Sequence, residues 1–130
     1  MPPQILVIDD SKAVRLIIKK VLLPYVCVVN EATNGLTGLF AMERALPDLL
    51  MIDVSMTTMD GVEMLTMLKS NPQLSSIPVI MLTSATDHKL LPQINALGVN
   101  ALLQKPFTEA AAVETIQSVL KLIKAPGPKI

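Results

Sequence analysis

Five short runs of apolar residues recur along the chain, and a segment long enough for a helix follows each of them. The runs are rich in Val, Ile and Leu and contain no polar residue, which is typical of strands covered on both faces of a parallel sheet. Five strand–helix pairs predict an α/β fold, a doubly wound (βα)5 sandwich with right-handed crossovers. The predicted strands are residues 5–8, 26–29, 49–52, 79–82 and 101–103.

Capping residues and apolar stripes indicate where the helices begin and end. Pro92 interrupts the fourth helical segment, which we therefore expect to be short or kinked, with Gly98 as its C-terminal cap. The apolar stripe of the fifth helix extends to Ile123. The predicted helices begin near Ser11, Asn34, Asp60, Thr86 and Thr108, and the first four end near Leu22, Pro47, Pro72 and Leu97.

The composition excludes some classes of partner. The chain has 130 residues, of which 51% are apolar and 2% aromatic, and its formal net charge is zero. Such a chain fits one domain with one core. It lacks the aromatic platforms of single-strand nucleic-acid binders and the basic excess of a broad nucleic-acid or anionic-membrane surface. We therefore expect no direct nucleic-acid binding.

The sequence contains no recognisable targeting or membrane signal. Its start, MPPQILVIDD, has no basic segment before the short apolar run, and no apolar stretch approaches the roughly 20 residues of a membrane span. Cys27 is the only cysteine, so we expect no disulfide within the chain. These features predict a cytoplasmic protein without membrane insertion. Residues 1–124 form the predicted domain, and residues 125–130 a flexible tail or the start of a linker.

Chemically reactive side chains follow the predicted strands at the points where the strands end. Because the carboxyl ends of parallel strands meet at one edge of the sheet, where ligands bind in such folds, we expect these side chains to converge. They comprise three carboxylates, two hydroxyls and one amine. The residues are Asp9 and Asp10 after the first strand, Asp53 after the third, Thr83 and Ser84 after the fourth, and Lys105 after the fifth.

Three carboxylates in one place repel one another, so at least one pKa would rise unless a cation compensates. A hard cation with oxygen ligands is the simplest compensation. Mg²⁺, which keeps some of its waters and takes one or two carboxylates, fits this set. A metal with open positions, beside a nucleophilic carboxylate, a hydroxyl donor and a lysine, is suited to phosphoryl transfer onto a carboxylate.

At this point the residues resemble the receiver domain of two-component response regulators, in particular the chemotaxis-regulator-like ones. The resemblance covers about residues 4–123. It implies a flavodoxin-like sheet in the strand order 2-1-3-4-5, and phosphoryl transfer from a histidine kinase or a phosphotransfer protein. The matching stretches are ILVIDDSKAVR, EATNGLTGL, LLMIDVSMTTMDGVEML, IPVIMLTSATD and ALGVNALLQKPFT.

The resemblance implies roles for the residues of the metal site. Asp53 is the expected phosphoacceptor, which attacks the phosphorus of a phosphohistidine. Asp10 and Asp53 are the expected direct ligands of Mg²⁺, together with the backbone carbonyl of Ser55. Asp9 is expected to act on the metal through a water molecule.

The resemblance also implies a switch. Thr83 is the expected hydroxyl that moves to meet the phosphoryl group, and the small Ser84 would leave room for that group and donate its backbone amide to it. Lys105 is the expected ion-pair partner, and the Lys105–Pro106 peptide bond is expected to be cis. The resulting change would reach an output face formed by the fourth helix, the fifth strand and the fifth helix, where a downstream domain or protein, or a second copy of the chain, would bind.

Three positions depart from the family pattern. Leu102 occupies the place, three residues before the lysine, where the family usually has an aromatic residue coupled to the switch hydroxyl. Thr57 stands where the loop after the phosphoacceptor usually has proline, so this loop is expected to be less rigid. Asn100 replaces a frequent aspartate, which we interpret as a neutral variation in a turn. Phosphorylation should survive these changes, whereas signal propagation is expected to be altered.

Two other functions use part of the same pattern. A phosphatase of the haloacid dehalogenase type shares the nucleophilic aspartate, Mg²⁺, hydroxyl and lysine, but its nucleophile follows the first strand in an Asp-x-Asp pattern. Here Asp9 and Asp10 are adjacent, and the length leaves little for a cap domain, so we do not expect an enzyme beyond the domain's own phosphorylation and dephosphorylation. The other alternative is a receiver-like interaction module that works without phosphorylation, which the missing aromatic at Leu102 favours.

Overall fold

The computed structural model describes residues 1–126. Five parallel strands form one sheet in the order β2-β1-β3-β4-β5, which confirms the predicted topology. No helix in the described part of the chain is long and apolar enough to cross a membrane. The strands are β1 Gln4–Ile8, β2 Val28–Ala32, β3 Leu49–Asp53, β4 Val79–Thr83 and β5 Ala101–Gln104, and the helices are α1 Lys12–Leu22, α2 Gly35–Arg44, α3 Gly61–Ser70, α4 Leu91–Leu97 and α5 Glu109–Val119, with a 3-10 helix at Ala85–Leu90 before α4.

The sheet separates two apolar cores because successive side chains of each strand point to opposite faces. On β3, Leu50 and Ile52 pack in the core beneath α2, α3 and α4. Leu49 and Met51 pack in the core beneath α1 and α5. All four side chains are fully buried. The strand that ends in Asp53 is therefore fixed from both sides.

The methionines are unevenly divided between these two cores. Met42, Met64 and Met81 are buried in the core beneath α2, α3 and α4, and Met56 and Met59 pack against it. Met51 is the one methionine among the residues that form the core beneath α1 and α5. The side of the domain that carries the segment after Thr83 is thus the side richer in flexible thioether side chains.

The second strand lies later than the predicted residues 26–29. It covers Val28–Ala32, because Val26 donates its amide to the Ile123 carbonyl (2.8 Å) and not to the sheet. As an edge strand β2 is only partly covered, so it includes the exposed Glu31. Periodicity of apolar residues alone therefore placed this strand too early.

The fifth helix ends at Val119 and not at the predicted Ile123. The Gln117 side chain accepts the Leu122 amide (2.7 Å) and donates to the Leu122 carbonyl (3.2 Å), which holds the chain in an extended form. Leu122 is buried, whereas Ile123 is 72% exposed. Residue 124 then pairs with Tyr25 in an antiparallel bridge. The predicted tail at residues 125–130 lies mostly outside the described residues.

The fourth helical segment is divided in two, in line with the short or kinked helix expected from Pro92. A 3-10 helix covers Ala85–Leu90, and α4 follows from Leu91 with Pro92 in its first turn, where the missing amide costs no helical hydrogen bond. Gly98, with φ of 95°, caps the end of α4. The N-cap of this segment is Ser84, two residues before the predicted start at Thr86.

Candidate functional site

The ends of β1 and β3 bring the three predicted carboxylates together. Ile8 pairs with Ile52, so the residues that follow them, Asp9 and Asp53, leave the sheet as neighbours. Asp9 is fully buried and Asp53 is 5% exposed, whereas Asp10 is exposed to solvent. Each of the three carboxylates offers an oxygen within 4.8 Å of the others.

Lys105 supplies the positive charge of this cluster. Its Nζ lies 2.7 Å from Asp9 Oδ2 and 3.0 Å from Asp53 Oδ1, and its side chain is 21% exposed. The contact with Asp53 is a hydrogen bond, whereas the contact with Asp9 has the distance of an ion pair but not the geometry of a hydrogen bond. The peptide bond between Lys105 and Pro106 is cis.

Burial and charge shift the acid–base properties of the cluster. Burial, followed by the charge of Asp9, raises the pKa of Asp53 to about 6, although Lys105 opposes the rise. For Lys105, burial disfavours the ammonium, but contact with Asp9 and Asp53 outweighs it, so the pKa is raised. One lysine therefore does not fully neutralise the carboxylates.

The residues of the cluster fit a hard divalent cation. Asp9 Oδ1 already accepts the Ser11 amide (2.8 Å), while Asp9 Oδ2 is buried without a hydrogen-bond donor. Asp10 is exposed and borders an open depression of about 360 Å³ that Ser55 also lines. All the candidate ligand atoms are oxygens, and solvent reaches the site at the exposed Asp10, as Mg²⁺ requires.

The raised pKa of Asp53 predicts that the metal-free domain loses stability between about pH 4 and pH 6. In this window the native carboxyl holds a proton that the unfolded chain, with a pKa of 3.8, has lost, so the free energy of unfolding falls as the pH rises. The two pKa values differ by about two units, each worth about 1.4 kcal/mol, so the free energy of unfolding falls by at most about 3 kcal/mol. Denaturant titrations of wild type and Asp53→Asn in a chelator, from pH 4 to pH 7, measure it. Parallel curves for the two proteins would contradict this expectation.

Thr83 and Ser84 lie where β4 ends. Thr83 is 5% exposed, and its carbonyl accepts the Lys105 amide (2.6 Å), which ties the end of β4 to the start of the loop after β5. The Ser84 amide donates to Asp87 Oδ2 (2.7 Å), and the Ser84 hydroxyl lies 3.0 Å from the same oxygen. The predicted phosphoryl-binding amide is therefore already engaged in this structure.

Two residues make contacts in the site that were not predicted from the sequence. Asp87 is 4% exposed and also accepts the Ser55 hydroxyl through Oδ1 (2.9 Å). The spacing Ser84-x-x-Asp87, typical of a capping box, was the signal available for it. Arg15 donates to the Asp9 carbonyl (2.6 Å) and to Glu31 (3.0 Å), so it fixes the loop after β1. Neither contact follows from periodicity.

Leu102 lies in β5 opposite Met81, and its side chain is 38% exposed. Leu90, at the end of the 3-10 helix, is 37% exposed. The sole histidine, His88, is also exposed, and it lies in the 3-10 helix two residues before Leu90. Apolar side chains are thus accessible in the region that was predicted as the output face.

The comparisons with known proteins agree with this fold and site. A family model described as response regulator receiver domain matches residues 5–117. Chemotaxis protein CheY-3 of Vibrio cholerae is 29% identical over 119 residues, covering 91% of this chain and 92% of its own length. The solved structure of the chemotaxis response regulator CheY4 of Vibrio cholerae superposes with a TM-score of 0.84 at 28% identity, over 92% of this chain and 100% of that one.

A second kind of relative is a much longer protein. Hybrid signal transduction histidine kinase D of Dictyostelium discoideum is 31% identical over 123 residues. The match covers 95% of this chain but 8% of the kinase. Similar sequences thus occur both as nearly the whole of a small regulator and as a small part of a kinase.

Proposed function

Because the chain belongs to the response regulator receiver domain family of two-component signalling, we propose that Asp53 is its phosphoacceptor and that Mg²⁺ is required for phosphoryl transfer. The observation that carries the proposal is the cluster of three carboxylates whose oxygens lie within 4.8 Å of one another, with Lys105 in contact with Asp9 and Asp53. Receiver domains bind Mg²⁺ at an acidic pocket, and they interact with histidine kinases and output partners. Neither a phosphatase nor a module without phosphorylation is favoured by this family match.

The proposed reaction is a substitution at phosphorus. An Asp53 oxygen forms the new bond to phosphorus as the bond to the histidine nitrogen of a kinase or phosphotransfer protein breaks, and the leaving imidazole takes up a proton. Bound Mg²⁺ neutralises charge on the phosphoryl oxygens. Lys105, 3.0 Å from Asp53 Oδ1, is suited to the same task. Asp53 is buried at the end of a strand fixed from both faces, which supports precise positioning of the nucleophile.

The proposed division among the metal ligands follows exposure. Asp10 and Asp53 contact Mg²⁺ directly with the Ser55 carbonyl, and Asp9 acts through water. Both Asp9 oxygens already have protein contacts, with the Ser11 amide and with Lys105, whereas Asp10 is exposed. A carboxylate occupied in this way is better suited to an indirect role.

The switch and its partners complete the proposal. Thr83 and the Ser84 amide bind the phosphoryl group, and the change reaches the face of α4, β5 and α5. The exposed Leu90 and Leu102 support a partner surface there, which a downstream protein or a second copy of the chain occupies. In this proposal the chain acts in the cytoplasm, without membrane insertion or direct contact with nucleic acid. Its only catalysis is its own phosphorylation and dephosphorylation.

Incubation with acetyl phosphate and Mg²⁺ tests the phosphoacceptor. We expect the intact protein to gain the mass of one phosphoryl group, and we expect Asp53→Asn and removal of Mg²⁺ to abolish the gain. Asp60→Asn is the matched control, because Asp60 lies near the same edge but caps α3, and asparagine caps a helix equally well. The proposal fails if wild type gains no mass, or if Asp53→Asn gains as much as wild type.

A further inference from the structure

Asp87 is a buried carboxylate that connects two loops of the site. Its Oδ1 accepts the Ser55 hydroxyl from the loop after β3, and its Oδ2 accepts the Ser84 amide from the loop after β4. Within residues 1–126, no lysine or arginine nitrogen lies within ion-pair distance of Asp87. A buried charge held only by neutral donors depends strongly on each of them.

One of these donors, the Ser84 amide, is a donor that a phosphoryl group at Asp53 would need. In the proposed function the Ser84 amide donates to the phosphoryl group, yet here it donates to Asp87 at 2.7 Å. One N–H cannot make two full hydrogen bonds to two separate anions, so the two acceptors compete for it. The phosphoryl group would also add about −1.5 to −2 charges near a buried carboxylate, which weakens the retention of Asp87.

We propose that Asp87 is a positioning residue that holds the Ser84 amide and the Ser55 hydroxyl in the unphosphorylated protein and releases them when Asp53 is phosphorylated. This inference rests on the proposed function of Asp53. Asp87 belongs to the first turn of the 3-10 helix at Ala85–Leu90, which leads directly into α4. Release of Asp87 therefore acts on the segment that carries the exposed Leu90. This transmission does not need an aromatic residue at position 102, where the chain has leucine.

Titration with beryllofluoride, which mimics a phosphoryl group on a carboxylate, tests the competition in the presence of Mg²⁺. Loss of Asp87 frees the Ser84 amide, so we expect Asp87→Ala to lower the half-saturating concentration of beryllofluoride about tenfold. The titration is monitored by backbone NMR signals. If Asp87 only stabilises the 3-10 helix, its loss would leave the concentration unchanged or raise it, and either result overturns the inference.

Asp60→Ala is the matched control, since it also removes one acid and one helix cap at this edge but does not touch Ser84. We expect it to leave the half-saturating concentration close to that of wild type, and an equal fall in both variants would overturn the inference by making charge alone the cause.

A measurement on wild type avoids any folding defect: the side-chain carboxyl signal of Asp87 should shift together with the Ser84 amide. An unchanged Asp87 signal overturns the inference. The absence of any response to beryllofluoride in wild type would instead refute the proposed function.

Discussion

Lys105→Met should lower the free energy of unfolding by about 3 to 5 kcal/mol at neutral pH without Mg²⁺, the cost typical of a buried ion pair that loses one partner. The lysine lies 2.7 Å from Asp9 and 3.0 Å from Asp53, and both carboxylates are buried. Without it they repel each other in a medium that solvates charge poorly. Urea titration measures the loss, and addition of Mg²⁺ should recover part of it.

Lys20→Met is the control for this substitution. Lys20 also pairs with an acid, Glu109, at 3.6 Å, but both side chains are more than half exposed, so its loss should cost less than about 1 kcal/mol. The double variant Lys105→Met with Asp53→Asn should be more stable than Lys105→Met alone, because one of the uncompensated charges is gone. If Lys105→Met and Lys20→Met lower the free energy of unfolding equally, Lys105 does not compensate the charges of Asp9 and Asp53.

Gly61→Ala is expected to destabilise the domain by about 2 to 4 kcal/mol and to displace Asp53, the proposed phosphoacceptor. A Cβ at Gly61 would lie 2.2 Å from the carbonyl oxygen of Asp53, and the Gly61 amide donates to the Val54 carbonyl at 2.9 Å. Backbone atoms on both sides cannot move without shifting the end of β3. Thermal unfolding measures the first effect, and the rate of mass gain from acetyl phosphate measures the second.

Gly38→Ala is the comparison for Gly61. Its Cβ would meet only side-chain atoms, with Ile8 Cδ1 at 2.6 Å and Met64 Cε at 3.2 Å, which shift more easily than the backbone atoms around Gly61. Alanine within a helix is also favoured over glycine by about 1 kcal/mol, so part of the crowding is offset. A Gly61→Ala protein as stable and as reactive as Gly38→Ala would show that the contact with Asp53 is not restrictive.

The central strands and the family could be predicted from the sequence because burial on both faces leaves an uninterrupted apolar run. β3 and β4 lie where the pattern placed them, and the family match confirms the resemblance. The edge strand β2 could not be placed this way, since partial exposure admits Glu31 and since Val26 bonds to the C-terminal segment. The end of α5 depends on one side chain, Gln117, whose contacts follow no period.

Sequence reasoning found the side chains that extend from strand ends, because strand order alone brings Asp9, Asp53 and Lys105 to one edge. It did not predict the contacts that Asp87 and Arg15 make in the site. Asp87 reaches the site through the path of an irregular loop, and Arg15 does so through the length of its own side chain. Such contacts depend on where two loops or a helix and a loop meet, which no local pattern encodes.

The uneven distribution of methionines gives the two sides of the sheet different plasticity. Thioether side chains repack at little cost, so the core that α4 packs against, which contains Met64 and Met81, can absorb a shift of the segment between Ser84 and α4. The opposite core, with Ile18 and Ile116 at its centre, offers stiffer branched side chains. The structural change proposed to start at Asp53 would therefore meet less resistance on the side of the methionine-rich core than on the opposite side.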